Sequence, residues 1–175
     1  MKHADVPGTQ TQNSTVYEEI APYSSTIKLI VTLGFGMLAI SFSFAVFGHY
    51  FGLEKAPGEV LSSLLLVITI YSLGMWSFFN MKFRISTDGV EATMPPFRYR
   101  VPFSEMKEIT IIDRIPWYIG WGLRFWGRRL AFVSMHKRAV VIEKKSGFFK
   151  RLILTTRDPD TFFNMTRQKM RGDNT

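Results

Sequence analysis

Positions 29 to 51 form a run of 23 residues without an Asp, Glu, Lys or Arg, and positions 60 to 81 form another run of 22. A bilayer core about 30 Å thick takes roughly 20 apolar helical residues. Both runs meet that length. A core helix of a soluble bundle would carry a polar face at helical spacing, whereas these runs hold only scattered Ser, Thr and Gly. The pattern predicts two membrane-spanning helices. The connector 52–59 is short and contains the breakers Pro57 and Gly58, so the two helices should form an antiparallel hairpin. The first run does not read as a cleaved signal peptide. Its leader would be nearly 30 residues with Glu18 and Glu19 inside it, and its apolar part is longer than the usual 7–15 residues.

From Lys82 the period shortens to two. Phe83 and Ile85 alternate with Lys82, Arg84 and Ser86, Asp88-Gly89 supplies a turn, and Val90, Ala92 and Met94 alternate with Glu91 and Thr93. That is a hairpin of two strands. After Pro95-Pro96 a third strand carries Phe97, Tyr99 and Val101. A fourth is expected over 103–112, and further strands over 130–134, 139–143 and 151–156. Asp158 then stands as a helix N-cap with Pro159 at the first helical position. The helix it opens has Phe162, Phe163, Met165, Thr166 and Met170 on one side. About seven short antiparallel strands and one C-terminal helix are expected. Before the hairpin, 1–15 is polar and without apolar period, which predicts disorder, and Val16 to Ile20 reads as a short surface helix. The organisation predicted is a flexible polar tail (1–26), a transmembrane helical hairpin (27–81) and a mainly β cytoplasmic domain (82–175).

Charge sharpens this division. The net charge of +8 is the sum of −2 over residues 1–81 (three basic, five acidic) and +10 over 82–175 (19 basic, nine acidic). Lys82, Arg84, Arg98 and Arg100 follow the second run, against Lys55 alone in the connector. The excess of Lys and Arg marks the cytoplasmic side. The expected location is the cell membrane, multi-pass, with both termini cytoplasmic. On that side the Asn13-Ser14-Thr15 glycosylation pattern is unused.

Several short motifs carry a family resemblance. Phe83-Arg-Ile-Ser-Thr-Asp-Gly-Val90, Gly120-Trp-Gly-Leu-Arg124, the strand Ala139-Val-Val-Ile142 ending at Lys145-Ser-Gly147, and Leu154-Thr-Thr-Arg-Asp-Pro159 together resemble the bacterial and archaeal pleckstrin-homology (PH)-like domains that follow a pair of membrane helices. The resemblance covers about residues 60–170. It implies a PH-like barrel of two packed sheets plugged by the C-terminal helix, and an accessory or interaction role without catalysis. The loop Ser86-Thr-Asp88-Gly is too short and acidic to cradle phosphates as lipid-reading PH domains do.

Candidate chemistry concentrates in one stretch. Residues 114–129 hold Arg114, Trp117, Tyr118, Arg124, Phe125, Trp126, Arg128 and Arg129, with Gly120, Gly122 and Gly127 between them. Trp and Tyr favour the headgroup layer, and Trp, Tyr and Arg dominate protein-binding hot spots. The stretch is read as a loop that contacts membrane or partner. Trp121 and Leu123 are the exceptions, expected to fill the barrel. The turn runs at 136–138, 144–145 and 150–151 read as solubilising.

Other classes find no residues to carry them. There is no cysteine, which excludes disulfide scaffolds and thiolate metal sites. His3, His49 and His136 have no metal-ligand spacing, and no P-loop, Rossmann glycine pattern or nucleophile elbow occurs. No catalytic residue, metal or cofactor is expected, and no nucleic acid. His49 beside Tyr50 reads as interfacial. Gly34, Gly36, Ala39, Ser41, Ser43 and Ala45 allow close packing of the first helix, against its partner helix or in a homo-oligomer. The expected partners are other integral membrane protein subunits, with the protein as their accessory or scaffold subunit. The alternative is a peripheral sensor of anionic lipid headgroups at the cytoplasmic face.

Overall fold

The computed structural model describes residues 14–54 and 56–172. Of the disorder expected over 1–15, positions 1–13, Asn13 among them, lie outside the described residues, whereas Thr15 already begins a strand. Helices α1 (Ser25–Phe47) and α2 (Gly58–Phe79) form the hairpin, and a 3-10 turn (Gly48–Phe51) extends α1. Both are long and apolar enough to cross a membrane. They touch closely at Gly34, where a Cβ would come within 2.8 Å of the Tyr71 hydroxyl. That hydroxyl donates across the hairpin to the Val31 carbonyl at 3.0 Å. Gly36 has no such neighbour. His49 stacks on Tyr50 with ring centres 3.9 Å apart.

The β domain has two sheets. One pairs β1 (Thr15–Ile20), β2 (Lys82–Ser86), β3 (Gly89–Met94) and β4 (Phe97–Pro102) in that order. The other orders β5 (Met106–Ile112), β8 (Ala139–Lys144), β9 (Arg151–Leu154), β7 (Arg129–Val133) and β6 (Gly122–Trp126). The alternation read from the sequence is real in β2, where Phe83 and Ile85 are fully buried and the basic residues are not. In the five-stranded sheet, Leu130, Phe132, Val140, Ile142, Leu152 and Leu154 face the four-stranded sheet and fill the main core. Ala131, Val133, Ala139, Val141 and Ile153 face outward into a second, smaller core.

Helix α3 (Pro159–Gly172) lies against β5 and β8. Asp158 caps it as expected, accepting from the Thr161 N–H at 3.1 Å. Phe162 and Thr166 are buried, and the Phe162 ring meets Tyr17 of β1 edge-on at 6.1 Å.

Seven expectations are corrected. Val16 to Ile20 is not a helix. It is strand, because its backbone completes the exposed edge of β2, with Glu18 opposite Arg84 and Glu19 opposite Phe83. The sheet therefore uses residues from both sides of the hairpin. The fourth strand starts at Met106, after a 3-10 turn over Phe103–Glu105, and the last strand stops at Leu154. The strands number nine among the described residues, not seven, and one pair is parallel: β7 with β9. The two sheets remain separate hydrogen-bonded sets with edges at β1, β4, β5 and β6, so the described residues form no closed barrel. Trp121 does not fill a core. It is 44% exposed.

The hairpin is keyed into this domain. Ile27, Phe78 and Met81 belong to the main core. The Tyr23 hydroxyl donates to the Phe78 carbonyl, the Ser77 hydroxyl to the Pro95 carbonyl, and the Ala21 N–H to the Met81 carbonyl at 2.9 Å.

Candidate interaction surface

The stretch expected as a loop is half strand. Asp113 to Trp121 is irregular apart from a 3-10 turn at Trp117–Ile119, and β6 follows. Glycine makes the switch possible. Gly120 and Gly122 sit at φ +75° and +86°, where a side chain is strained. Beyond them Leu123 to Trp126 has the aromatic-rich, β-prone composition of a strand. Ile115 is buried and anchors the loop, together with Ile119 and Trp126, on the outward core of the five-stranded sheet. The loop thus lies over the face turned away from the four-stranded sheet.

This placement brings some candidate residues together and separates others. Tyr118, Trp126 and Arg129 line a shallow cavity of about 140 Å³ above Ile153. The Arg129 guanidinium sits 5.7 Å from the Trp126 ring centre, within cation–π range. Trp117 and Tyr118 are 78% and 74% exposed. Trp126 is half-buried and belongs partly to the core. Phe125 points elsewhere, its ring 5.6 Å from Phe149. Arg128 is held at the β6–β7 turn by the carbonyls of Gly147 and Phe148, each at 3.4 Å. Arg114 and Arg124 are exposed and make no ion pair within the described residues.

Register gives the surface its direction. Gly122 lies next to Phe78 of α2 and pairs with Val133, while Trp126 pairs with Arg129. The Gly122 end is therefore beside the hairpin. The Trp126 end is about 13 Å away at roughly 3.3 Å per residue.

Sequence reasoning missed two aromatic sites. Phe148 is 76% exposed and packs edge-on against Phe149 at 4.9 Å, and Phe149 in turn reaches Tyr99 of β4 at 5.8 Å. Phe97 is also exposed. Consecutive phenylalanines directly after the Ser146-Gly147 turn were the available signal. The turn lysines are braces: Lys145 Nζ donates to the Ser104 carbonyl at 2.9 Å, Lys150 Nζ to the Lys145 carbonyl at 3.0 Å, and buried Lys144 pairs with Glu105 at 3.1 Å.

One buried acid lies outside this surface. Glu19 accepts from the Tyr17 hydroxyl at 2.9 Å and from the Arg157 N–H at 3.2 Å. Burial raises its carboxyl above the ordinary range, and burial together with Glu19 pushes the Tyr17 phenol up to about 12. Its neighbour Glu18 is lowered by the hydrogen bond from Arg84. These contacts join β1 to the start of α3. Among the described residues, no three His, Asp or Glu gather where they could hold a metal ion.

Comparison of the chain with protein-family models, curated proteins and solved structures found no match.

Proposed function

We propose that this protein is a membrane-anchored, non-catalytic interaction module that serves as an accessory or scaffold subunit of a larger membrane protein complex. The hairpin spans the membrane and the β domain stands on the cytoplasmic side, as the Lys and Arg excess after α2 favours. The observation that carries the reading is the exposure of Trp117, Tyr118, Phe125 and Phe148, with Phe97 and Trp121 also exposed, on a domain that buries Phe83, Phe103, Phe132 and Phe162. Exposed aromatics flanked by arginine mark partner contacts. The resemblance of residues 60–170 to PH-like modules supports the same role.

The test is purification of the full chain in mild detergent. An integral membrane protein should remain bound in fixed ratio, and Trp117→Ala with Tyr118→Ala should release it without lowering thermal stability. A protein that purifies alone and monodisperse contradicts the proposal. A second reading, contact with anionic lipid at the cytoplasmic face, is favoured by the unpaired Arg114 and Arg124. It requires salt-sensitive binding.

A further inference from the structure

A groove of about 470 Å³ opens where the hairpin meets the β domain. Ile30, Val31 and Met75 form its helical wall, and Phe97, Trp121 and Phe125 face them from the β domain. Its volume is within the range of ligand pockets, about 300–1,000 Å³. β6 borders it as an edge strand, hydrogen-bonded to β7 alone. Of the described residues lining it, Arg124 is the one that carries a charge. Gly120 makes room for that side chain: a Cβ at Gly120 would approach Arg124 Nη2 to 2.9 Å.

The depth of the groove matters as much as its chemistry, and it rests on the reading of α1 and α2 as membrane-spanning. The 22 residues of α2 rise about 33 Å at 1.5 Å each, close to the thickness of the bilayer core. Met75 and Phe78 then lie at the edge of that core, and the groove opens at the headgroup layer. Exposed Trp76 and Trp121 stand at the depth where interfacial Trp collects.

Apolar walls and a single cation at that depth fit an amphiphilic anion. An acidic peptide would leave the walls unmatched, and a zwitterionic lipid would bring its own cationic ammonium beside Arg124 and weaken the attraction of its phosphate. The geometry points to a resident anionic phospholipid, with an acyl chain between the helices and β6 and its phosphate at Arg124. Such a lipid would fill the gap that remains beside the direct hairpin contacts at Tyr23, Ser77, Phe78 and Met81.

The test uses the full-length protein in detergent, with dioleoyl phosphatidylglycerol and dioleoyl phosphatidylcholine in equal amounts, read by native mass spectrometry. One bound lipid is expected, with the glycerol lipid preferred about fivefold, the effect of one arginine near a headgroup. Arg124→Gln should equalise the two lipids. Gly74 lines the groove, and a Cβ there meets no atom within 4 Å. Gly74→Leu should therefore fill the groove and abolish the adduct, in a helix where Leu is the better residue. A second readout covers the case in which that variant folds poorly. Trp121, kept as the sole tryptophan, should be quenched by acyl-brominated phosphatidylglycerol and not by the soluble glycerol phosphate headgroup. Adducts of several stoichiometries without headgroup preference, or no quenching, overturn the proposal. So does an adduct that survives in well-folded Gly74→Leu. Release of the protein from membranes by alkaline carbonate would instead overturn the spanning reading itself.

Discussion

The hairpin and the β domain use the same kinds of side chain in opposite ways. In α1 and α2, Leu29, Leu33, Met37, Ile70 and Leu73 point outward and remain exposed, Met37 by 71%. In the β domain, Phe83, Ile85, Phe132 and Leu152 are buried almost completely. A soluble protein rarely leaves a contiguous apolar surface of this extent uncovered. The hairpin closes its backbone hydrogen bonds internally and leaves its apolar side chains exposed, the arrangement that suits helices long enough to span a bilayer, while the β domain gathers its apolar groups away from water. The junction between them, at Tyr23, Ile27, Ser77, Phe78 and Met81, is where the two arrangements meet.

The difference can be broken most severely at β1. Deleting residues 1–20 removes the strand that pairs with β2 and leaves the hairpin intact. The yield of folded protein in detergent should collapse, although the deletion touches neither helix. A fully folded truncation would show that β1 is dispensable.

Single core changes come next. Phe83→Ala and Phe132→Ala remove rings that meet edge-on at 6.4 Å, and each should cost about 3–5 kcal/mol. Met37→Ala in the hairpin should change thermal stability in the same detergent by less than about 0.5 kcal/mol. Equal costs would mean that Met37 packs inside a protein core.

The aromatic stretch should divide in the same manner. Trp126→Ala should cost about 1–2 kcal/mol, part of what a fully buried ring costs. Trp117→Ala and Tyr118→Ala should stay within about 0.5 kcal/mol. Unfolding by the Trp117 and Tyr118 pair would place those rings in a core and end their role as a contact surface.

The smallest effect is a pair of opposite pH responses from adjacent residues of β1. The Glu19 carboxyl is raised by burial, so the folded state holds its proton more tightly than the unfolded one. Its contribution to stability is full below the ordinary value of 4.5 and is lost as pH rises through the raised value. Glu18 is lowered, so its contribution is present above 4.5 and is lost as pH falls through the lowered value. In thermal melts between pH 7 and pH 3, Glu19→Gln should stabilise most at neutral pH. Glu18→Gln should remove part of the loss on the acid side. The same sign for both variants would contradict the contrast.

The two regions were also legible to different degrees. The hairpin was readable because an uninterrupted apolar run of that length suits a membrane span and little else. Strands β2 to β4 were readable because apolar and polar residues alternate in their sequence, although only β2 repeats that alternation in its burial. β1 was hidden by Glu18-Glu19 before Pro22, which resembles the opening of a surface helix. Its strand character comes from the edge of β2, more than 60 residues away. β6 was hidden by Gly120 and Gly122, which mark the turn into it. The parallel β7–β9 pair and the open edges depend on how strands are ordered, and no local period records that order. Of the surface, the residue types were visible but their grouping was not. Whether Trp126 packs inward and Phe125 turns to Phe149 is decided by which face of β6 each occupies, and the register of β7 sets that.

Everything proposed for this protein depends on the hairpin crossing a membrane with the β domain on its cytoplasmic side. The chain has no native cysteine, so single introduced thiols report without background. Glu54→Cys in the connector and Ser146→Cys in the exposed turn after β8 can each be treated in intact cells with a membrane-impermeant maleimide. The expected result is that Glu54→Cys is labelled from outside and that Ser146→Cys is labelled only after lysis. Labelling of Ser146→Cys in intact cells, with Glu54→Cys protected, would contradict it.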